Sequence, residues 1–383
     1  MKILYITPYN PIDRSCGGDV RSGALLKALR KCGEVRTVLV PGRVRKVFGT
    51  EGAFGIHMMD SSLLYEGRLP WSLFVLLSCL ARRPIWGFPS RDEMLRKMGV
   101  DGFDCDVVVV RYLWCAARLG VWRLGKSVYV DVDDSPDATS MQIAMGFPRL
   151  VRPLIRWMYS TWQGLVARRA TGLWVSNADD VGIYNAHIRL LPNMPQLMGA
   201  EPCEEDPPFL FFVGSFRHLP NLNGVDLFLK DVWCAFRMRF PQVRLKIAGM
   251  ALPDAHRARW SQMEGVELLG YVDDLADLYS KCIAVIVPQI GGSGTSVKLV
   301  EAVSNGCKVF ANEAGARGFS SACLSELQVS VIHAKEDFLK AFGEWMLLSR
   351  AERRKDRLDI RRLAQKVVGE GRFDLIVETM IVG

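Results

Sequence analysis

No apolar run in this 383-residue sequence reaches the roughly 18 residues that a membrane-spanning helix needs. The longest, Leu69 to Ala81, is interrupted by Pro70, Ser72 and Ser78. A secretory leader is not expected either. Lys2 is followed by only Ile3, Leu4, Tyr5 and Ile6 before Thr7 and Pro8, which reads as a first strand. The ten cysteines form no Cys-x-x-Cys pair and no framework spacing. This argues against a disulfide scaffold and predicts reduced, structural thiols in the cytosol. Zinc-finger spacing, an RNP-like motif and basic repeats are all missing, so nucleic acid is not an expected partner.

What is present is globular. The chain is 49% apolar and 23% charged, long enough for two domains of ordinary size. Its net charge of +8 is uneven. Residues 1–200 hold 26 Lys and Arg against 17 Asp and Glu, a balance of +9. The remainder holds 23 against 24 and is nearly neutral. A basic half beside a neutral half points to an anionic partner for one domain, either an anionic membrane surface or a phosphorylated acceptor.

Short apolar runs alternate with helical patterns along both halves. Strands are predicted at Lys2–Thr7, Val35–Val40, Asp106–Val110, Ser127–Val130, Gly172–Val175 and Ile188–Leu191. The second half repeats the style at Phe209–Val213, Val243–Ala248, Val266–Leu269, Ile283–Val287, Lys308–Phe310 and Val329–Ile332. The fold class is therefore α/β, with two Rossmann-like domains of doubly wound parallel sheet facing a cleft. The acidic, Pro-rich stretch 196–208 reads as a linker between a first domain, 1–195, and a second, 209–369. Two helical patterns span about 351–381, broken at Gly369–Gly371, and the last, about 370–383, is a candidate to pack back on the first domain.

The densest chemical signal is the run Gly291, Gly292, Ser293, Gly294, Thr295, Ser296, Val297, Lys298, Leu299, Val300, Glu301, Ala302. It follows a buried-strand pattern and opens a helix expected over about 295–305. A glycine-rich turn at a helix N-terminus offers backbone N–H groups and about half a positive charge to an anion. Lys298 and Glu301 are three apart and share one helix face. A cation in the first turn suits a diphosphate, and a carboxylate one turn deeper suits a pair of ribose hydroxyls. The run is neither a Walker loop nor a dinucleotide fingerprint.

Four stretches of the second half resemble the donor domain of retaining family-4 glycosyltransferases of the GT-B fold, the glycosyl transferases group 1. They are Phe212–Gly224, Leu245–Gly249, Val266–Asp274 and Gly291–Gly306. Leu191-Pro192-Asn193 and Gly17-Gly18 also fit the family. The chain matches a subset that reads Gly-Gly-x-x-Thr-x-x-Lys-x-x-Glu-Ala. Two positions depart from the common pattern. Ser293 stands where many members carry a first glutamate. Ser215 stands in place of the arginine, and Asn223 near the lysine, that grip the diphosphate, which leaves Arg217 and Lys298 to supply that charge.

The resemblance implies a nucleoside-diphosphate sugar as donor substrate, no metal and no other cofactor. It implies a glycan or lipid-linked acceptor, in bacterial cell-surface polysaccharide or glycolipid synthesis. Negative charge develops on the leaving diphosphate, so fixed donors there stabilise the transition state. The resemblance assigns this to Lys298, Arg217 and the backbone of Gly294–Ser296. It places Glu301 on the ribose, and Gly214, Ser215 and Gly291–Ser296 around the donor. The Gly270-Tyr271-Val272 loop is assigned to the base, and Gly17-Gly18 to the approach from the first domain. The departing phosphate takes the acceptor proton; His218 and His187 are base candidates by residue type only. Arg111, Asp133 and Asp134 are expected on the acceptor side. Asp131-Val132-Asp133 has an Asp-x-Asp spacing that invites a metal, but its place in the first half favours orienting hydroxyls or arginines. Two other readings of the fold stay open: a sugar-nucleotide epimerase and a partner subunit without turnover.

Leu150, Val151, Leu154, Ile155, Met158, Trp162, Leu165 and Val166 form one apolar stripe at helical spacing, expected to be core, with Arg149, Arg152 and Arg156 opposite. Trp71–Arg83 is a second apolar segment that ends in two cations. With the charge of the first half, they predict a cytoplasmic protein in peripheral contact with the inner face of the cell membrane.

Overall fold

A computed structural model describes residues 1–13, 17–40, 56–59, 71–81, 90–133, 136–177, 187–194, 201–291 and 295–382, with side chains for all of these except 71–74, 136–139 and 142. Gly292, Ser293, Gly294, Asp134, Arg82, Arg83 and residues 196–200 of the expected linker lie outside the described residues. The chain divides into two compact units, Met1–Pro192 with Phe373–Gly383, and Asn193–Arg372.

The first unit runs β1 (Lys2–Thr7), α1 (Gly17–Cys32), β2 (Glu34–Leu39), β3 (Ile56–Met58), α2 (Trp71–Leu80), α3 (Arg91–Lys97), β4 (Val107–Arg111), α4 (Leu113–Leu119), β5 (Ser127–Val132), α5 (Pro136–Met145), α6 (Arg152–Ala167), β6 (Gly172–Val175) and β7 (Ile188–Leu190). Its seven strands pair in the order β3-β2-β1-β4-β5-β6-β7, every pair parallel. The central strands are Val- and Ile-rich because both faces are covered; β4 is buried at all five positions. β3 escapes a sequence reading because it is a three-residue edge with a histidine at its centre.

The second unit runs β8 (Phe209–Val213), α7 (Leu219–Phe228), α8 (Cys234–Arg239), β9 (Arg244–Ala248), α9 (Asp254–Trp260), β10 (Val266–Gly270), α10 (Ala276–Lys281), β11 (Ala284–Val287), α11 (Val297–Ser304), β12 (Val309–Ala311), α12 (Glu313–Ala316), α13 (Ser321–Glu326), β13 (Ser330–Val331), α14 (Lys335–Leu347) and α15 (Arg350–Val368). The strand order is β10-β9-β8-β11-β12-β13, again parallel throughout. Alternate residues of β8 enter two different cores. Phe209 and Phe211 join Leu299, Val303, Ile360 and Ala364 of α11 and α15, while Leu210 and Phe212 join Phe228, Phe338 and Phe342 on the opposite face. A sheet sandwiched in this way is the doubly wound Rossmann-like arrangement, here twice over, as in the GT-B fold.

The last helix, α16 (Glu370–Ile381), lies against the first unit. Arg189 donates to Thr379 Oγ1 at 2.6 Å, and Lys31 pairs with Asp374. The apolar stripe of α6 is core only from Met158 onward, where Trp162 and Val166 are buried. Its N-terminal part is not, and Leu150, Leu154 and Trp157 stand in solvent beside the exposed Arg149 and Arg156. The stripe begins before α6 does, and Leu150 and Val151 precede the helix. Among the described residues, no helix is long and apolar enough to cross a membrane.

Candidate functional site

In an open parallel sheet, ligands bind beyond the carboxyl ends of the strands, where the strand order reverses. In the second unit that point lies between β8 and β11. Gly214 leaves β8 here, and its backbone N–H is held by the carbonyl of Ala248 at 3.1 Å. A Cβ on Gly214 would stand 2.6 Å from Lys298 Cε and 2.9 Å from Asn221 Nδ2, so the missing side chain is what lets the lysine cross over the strand end. Asn221, buried in the first turn of α7, donates to the Ser215 carbonyl at 2.8 Å.

Beyond β11 the chain turns at Gly291, whose φ of +72° is left-handed backbone that glycine adopts without strain. After the undescribed 292–294, Thr295 and Ser296 are buried and Ser296 is extended, so α11 starts at Val297, two residues later than the sequence suggests. Ser296 is the N-cap, yet its side chain caps nothing. It is 2% exposed, and its Oγ finds no hydrogen-bond partner among the described residues. A buried hydroxyl without a partner loses about 1–3 kcal/mol, so a ligand oxygen at this place would be welcome.

Lys298 Nζ donates to Asn221 Oδ1 at 2.8 Å, and Gln289 Nε2 donates to the same oxygen at 2.7 Å. Burial, then the nearby Arg317 guanidinium, lowers the lysine to about 8, with Glu301 opposing. Glu301 accepts from the Tyr279 hydroxyl at 3.1 Å. Burial pushes its carboxyl up, against the pull of Tyr279 and Lys298. The spacing argument for Lys298 and Glu301 therefore leads to two enclosed, coupled groups at one helix start.

The other residues expected on the donor divide. Tyr271 follows β10 and is 65% exposed, an aromatic face presented to solvent. Arg217 is exposed on the turn before α7. His218 is the N-cap of α7, and burial, Lys298 and Arg317 together lower its basicity. Sequence reasoning missed Arg317, Gln289, Asn221 and Tyr279. Arg317 Nη1 donates to Gln289 Oε1 at 2.6 Å and to the Ala314 carbonyl at 2.7 Å. The available signal was Asn312-Glu-Ala-Gly-Ala-Arg-Gly318, a string of small residues after a strand, which marks close backbone approach.

In the first unit the strand order reverses between β1 and β4. Gly17 and Gly18 open α1 there, and a Cβ on Gly18 would lie 2.5 Å from the Tyr9 ring. Arg111, expected to face an acceptor, is fully buried. Its guanidinium donates to Asp131 Oδ2 at 3.0 Å, Asp133 Oδ2 at 2.6 Å, Ser22 Oγ at 2.9 Å and the Gly18 carbonyl at 2.7 Å. Arg21, equally buried, forks onto both oxygens of Asp131. Burial alone would raise the Asp131 carboxyl, but the two guanidiniums hold it below the usual carboxylate range. Arg111 thus ties α1, β4 and β5 together, and Asp133, partly exposed, is the member of this network nearest solvent. His187 is exposed beside β7. Among the described residues, no group of three His, Cys, Asp or Glu side chains could hold a metal ion.

The family described as glycosyl transferases group 1 matches residues 207–342. Sucrose-phosphate synthase from Thermosynechococcus elongatus superposes over 99% of this chain and 98% of its own, with a TM-score of 0.67 at 15% identity. WaaG, a glycosyltransferase involved in lipopolysaccharide biosynthesis, does so over 100% of both chains with a TM-score of 0.62 at 12% identity. Anabaena HepE, solved in complex with UDP, covers 100% of both chains with a TM-score of 0.61 at 12% identity. At these identities the likeness speaks to fold. No curated protein sequence is a significant match.

Proposed function

We propose that this chain, whose second unit belongs to the group 1 glycosyl transferases, moves a sugar from a nucleoside diphosphate to a glycan or lipid-linked acceptor with retention at the anomeric carbon. The observation that carries this reading is the start of α11. An enclosed Lys298 and the Ser296 Oγ, without a partner among the described residues, meet a helix N-terminus there, with Glu301 one turn on. The anomeric carbon–oxygen bond to the β-phosphate breaks as the acceptor oxygen bonds to that carbon. The acceptor proton passes to the departing phosphate. Lys298 and the first amides of α11 neutralise the charge that accumulates on that phosphate. Glu301, oriented by Tyr279, receives the ribose hydroxyls, and Tyr271 covers the base. No step calls for a metal.

The test is release of nucleoside diphosphate from UDP-, GDP-, ADP- and dTDP-linked sugars, with CMP-linked sugars, which can release only a monophosphate, as the contrast. One donor is expected to be hydrolysed slowly without acceptor, and its anomeric configuration to be kept in the product. Glu301→Ala should raise KM for that donor about 10- to 100-fold, the worth of hydrogen bonds to a charged group. Intact donors across the panel would leave a chain without turnover, and an unchanged KM would remove Glu301 from the ribose.

The acceptor side is read from the first unit. Leu150, 96% exposed, and Trp157, 55% exposed, project with Leu154 beside Arg149 and Arg156. An amphipathic aromatic among apolar side chains and cations suits an anionic membrane surface, where each cation contributes on the order of 1 kcal/mol. The nine described cysteines are free, as in a reducing cytoplasm, including Cys282 and Cys307 with sulfurs 3.7 Å apart. The protein is expected to float with vesicles rich in anionic lipid and to be released by 0.5 M salt. Equal flotation with zwitterionic vesicles would contradict this.

A further inference from the structure

The family pair of cations that follows the first strand of the donor domain is missing here, since Ser215 and Asn223 occupy that region. A second cation nevertheless reaches the site from a different loop. The Ser296 amide donates to the Arg317 carbonyl at 3.4 Å. Gly318, with φ of +88°, lies so close that a Cβ there would be 2.9 Å from Thr295 Cα and Oγ1. The backbone of 317–318 is therefore laid on the two residues that open α11. From this position the Arg317 guanidinium bonds Gln289 Oε1, and Gln289 Nε2 bonds the Asn221 oxygen that also takes Lys298. One amide-to-amide bridge holds both cations in place.

Two desolvated cations held near each other repel one another. Each is less basic than usual: Arg317 through burial, Lys298 through burial and then Arg317 itself. An anion held between them relieves both effects. The monophosphate of the same base carries a similar charge on its only phosphate, as phosphate esters do, so the discrimination is positional: a clamp on the second phosphate from the ribose meets no phosphate in the monophosphate.

We infer that Arg317 is a donor-binding residue which, with Lys298, forms a two-cation clamp on the terminal phosphate and selects a nucleoside diphosphate over the monophosphate of the same base. This rests on the proposed donor reading of the site and adds to it the residue that discriminates by phosphate number.

The experiment is calorimetric titration of the full chain with the UDP/UMP, GDP/GMP and ADP/AMP pairs, followed by Arg317→Ala and Arg317→Lys titrated with the pair that binds. Arg317→Ala should weaken the diphosphate about 10- to 100-fold, as loss of charge-assisted hydrogen bonds does. The monophosphate should change less than about threefold, as expected when the lost contact is to the missing phosphate. Arg317→Lys should restore part of the difference. Removing the neighbouring charge should also move the alkaline limb of diphosphate binding by Lys298 to higher pH, which a merely structural arginine would not do. Equal weakening of both nucleotides, or an unmoved alkaline limb, would overturn the inference while leaving the donor reading standing. If no diphosphate binds the wild-type chain, the donor reading itself fails.

Discussion

A Lys298→Ala chain should turn over its sugar nucleotide about 100- to 1,000-fold more slowly than the parent, the usual effect of removing one fixed donor from a developing anion. The loss should fall mainly on kcat, because the charge on the departing phosphate grows as the bond breaks. The pH dependence carries the same signature. Burial and Arg317 lower the ammonium to about 8. It is charged below that value and neutral above it, so kcat/KM should be level near pH 7 and fall about tenfold per unit well above pH 8. Lys298→Arg, which stays charged, should flatten that limb even where it lowers the rate. A parent profile that stays level to pH 10 would mean that the lysine is not what grips the phosphate.

The largest stability effect is expected far from this site in sequence. Asp131→Asn leaves Arg21 and Arg111 side by side, both buried, with only the partly exposed Asp133 to pair them. Breaking a buried ion pair from one side costs about 3–5 kcal/mol, a large part of the 5–15 that a whole domain has. Because the chain has two units, a single unfolding midpoint would mix them. Amide hydrogen exchange separates them. Protection of β1, β4 and β5 should drop about 10²- to 10⁴-fold, the same free energy expressed as an opening constant. Amides of β8, β9 and β11 should be unchanged. Asp133→Asn should do less, since Asp133 is partly exposed and Asp131 keeps both arginines. The sign with pH follows from the lowered Asp131 carboxyl. Its contribution is present at neutral pH and is lost as pH falls through the folded-state value, below the ordinary ~3.9.

The sheets were legible because buried parallel strands write themselves as short apolar runs. Val107–Val110 and Phe209–Phe212 can hardly be anything else, and both are strands. β3 was not, since an edge of three residues carries too little pattern. Lys298 and Glu301 were legible because the helix period joins residues three apart, and enclosure by Tyr279 and Asn221 only completes what the spacing states. Arg317 was not, because its place depends on a turn after β12 that returns to Thr295, and no local period encodes that return. Arg111 shows the opposite failure. A charge at a strand end looks like a ligand group, but Asp131 occupies the matching register of β5 and claims it. The stripe on α6 was half legible: its period was right, but which of its turns the core covers is a tertiary fact.

The most direct measurement of the anion-cradle account is proton uptake on binding a nucleoside diphosphate at pH 8.5, read by calorimetry in buffers of different ionisation enthalpy. With the free lysine at about 8, about three quarters of a proton should be taken up per diphosphate bound by the parent chain and close to none by Lys298→Arg. Saturable binding with no proton uptake in the parent would contradict the account, because the ammonium would then not be what meets the phosphate.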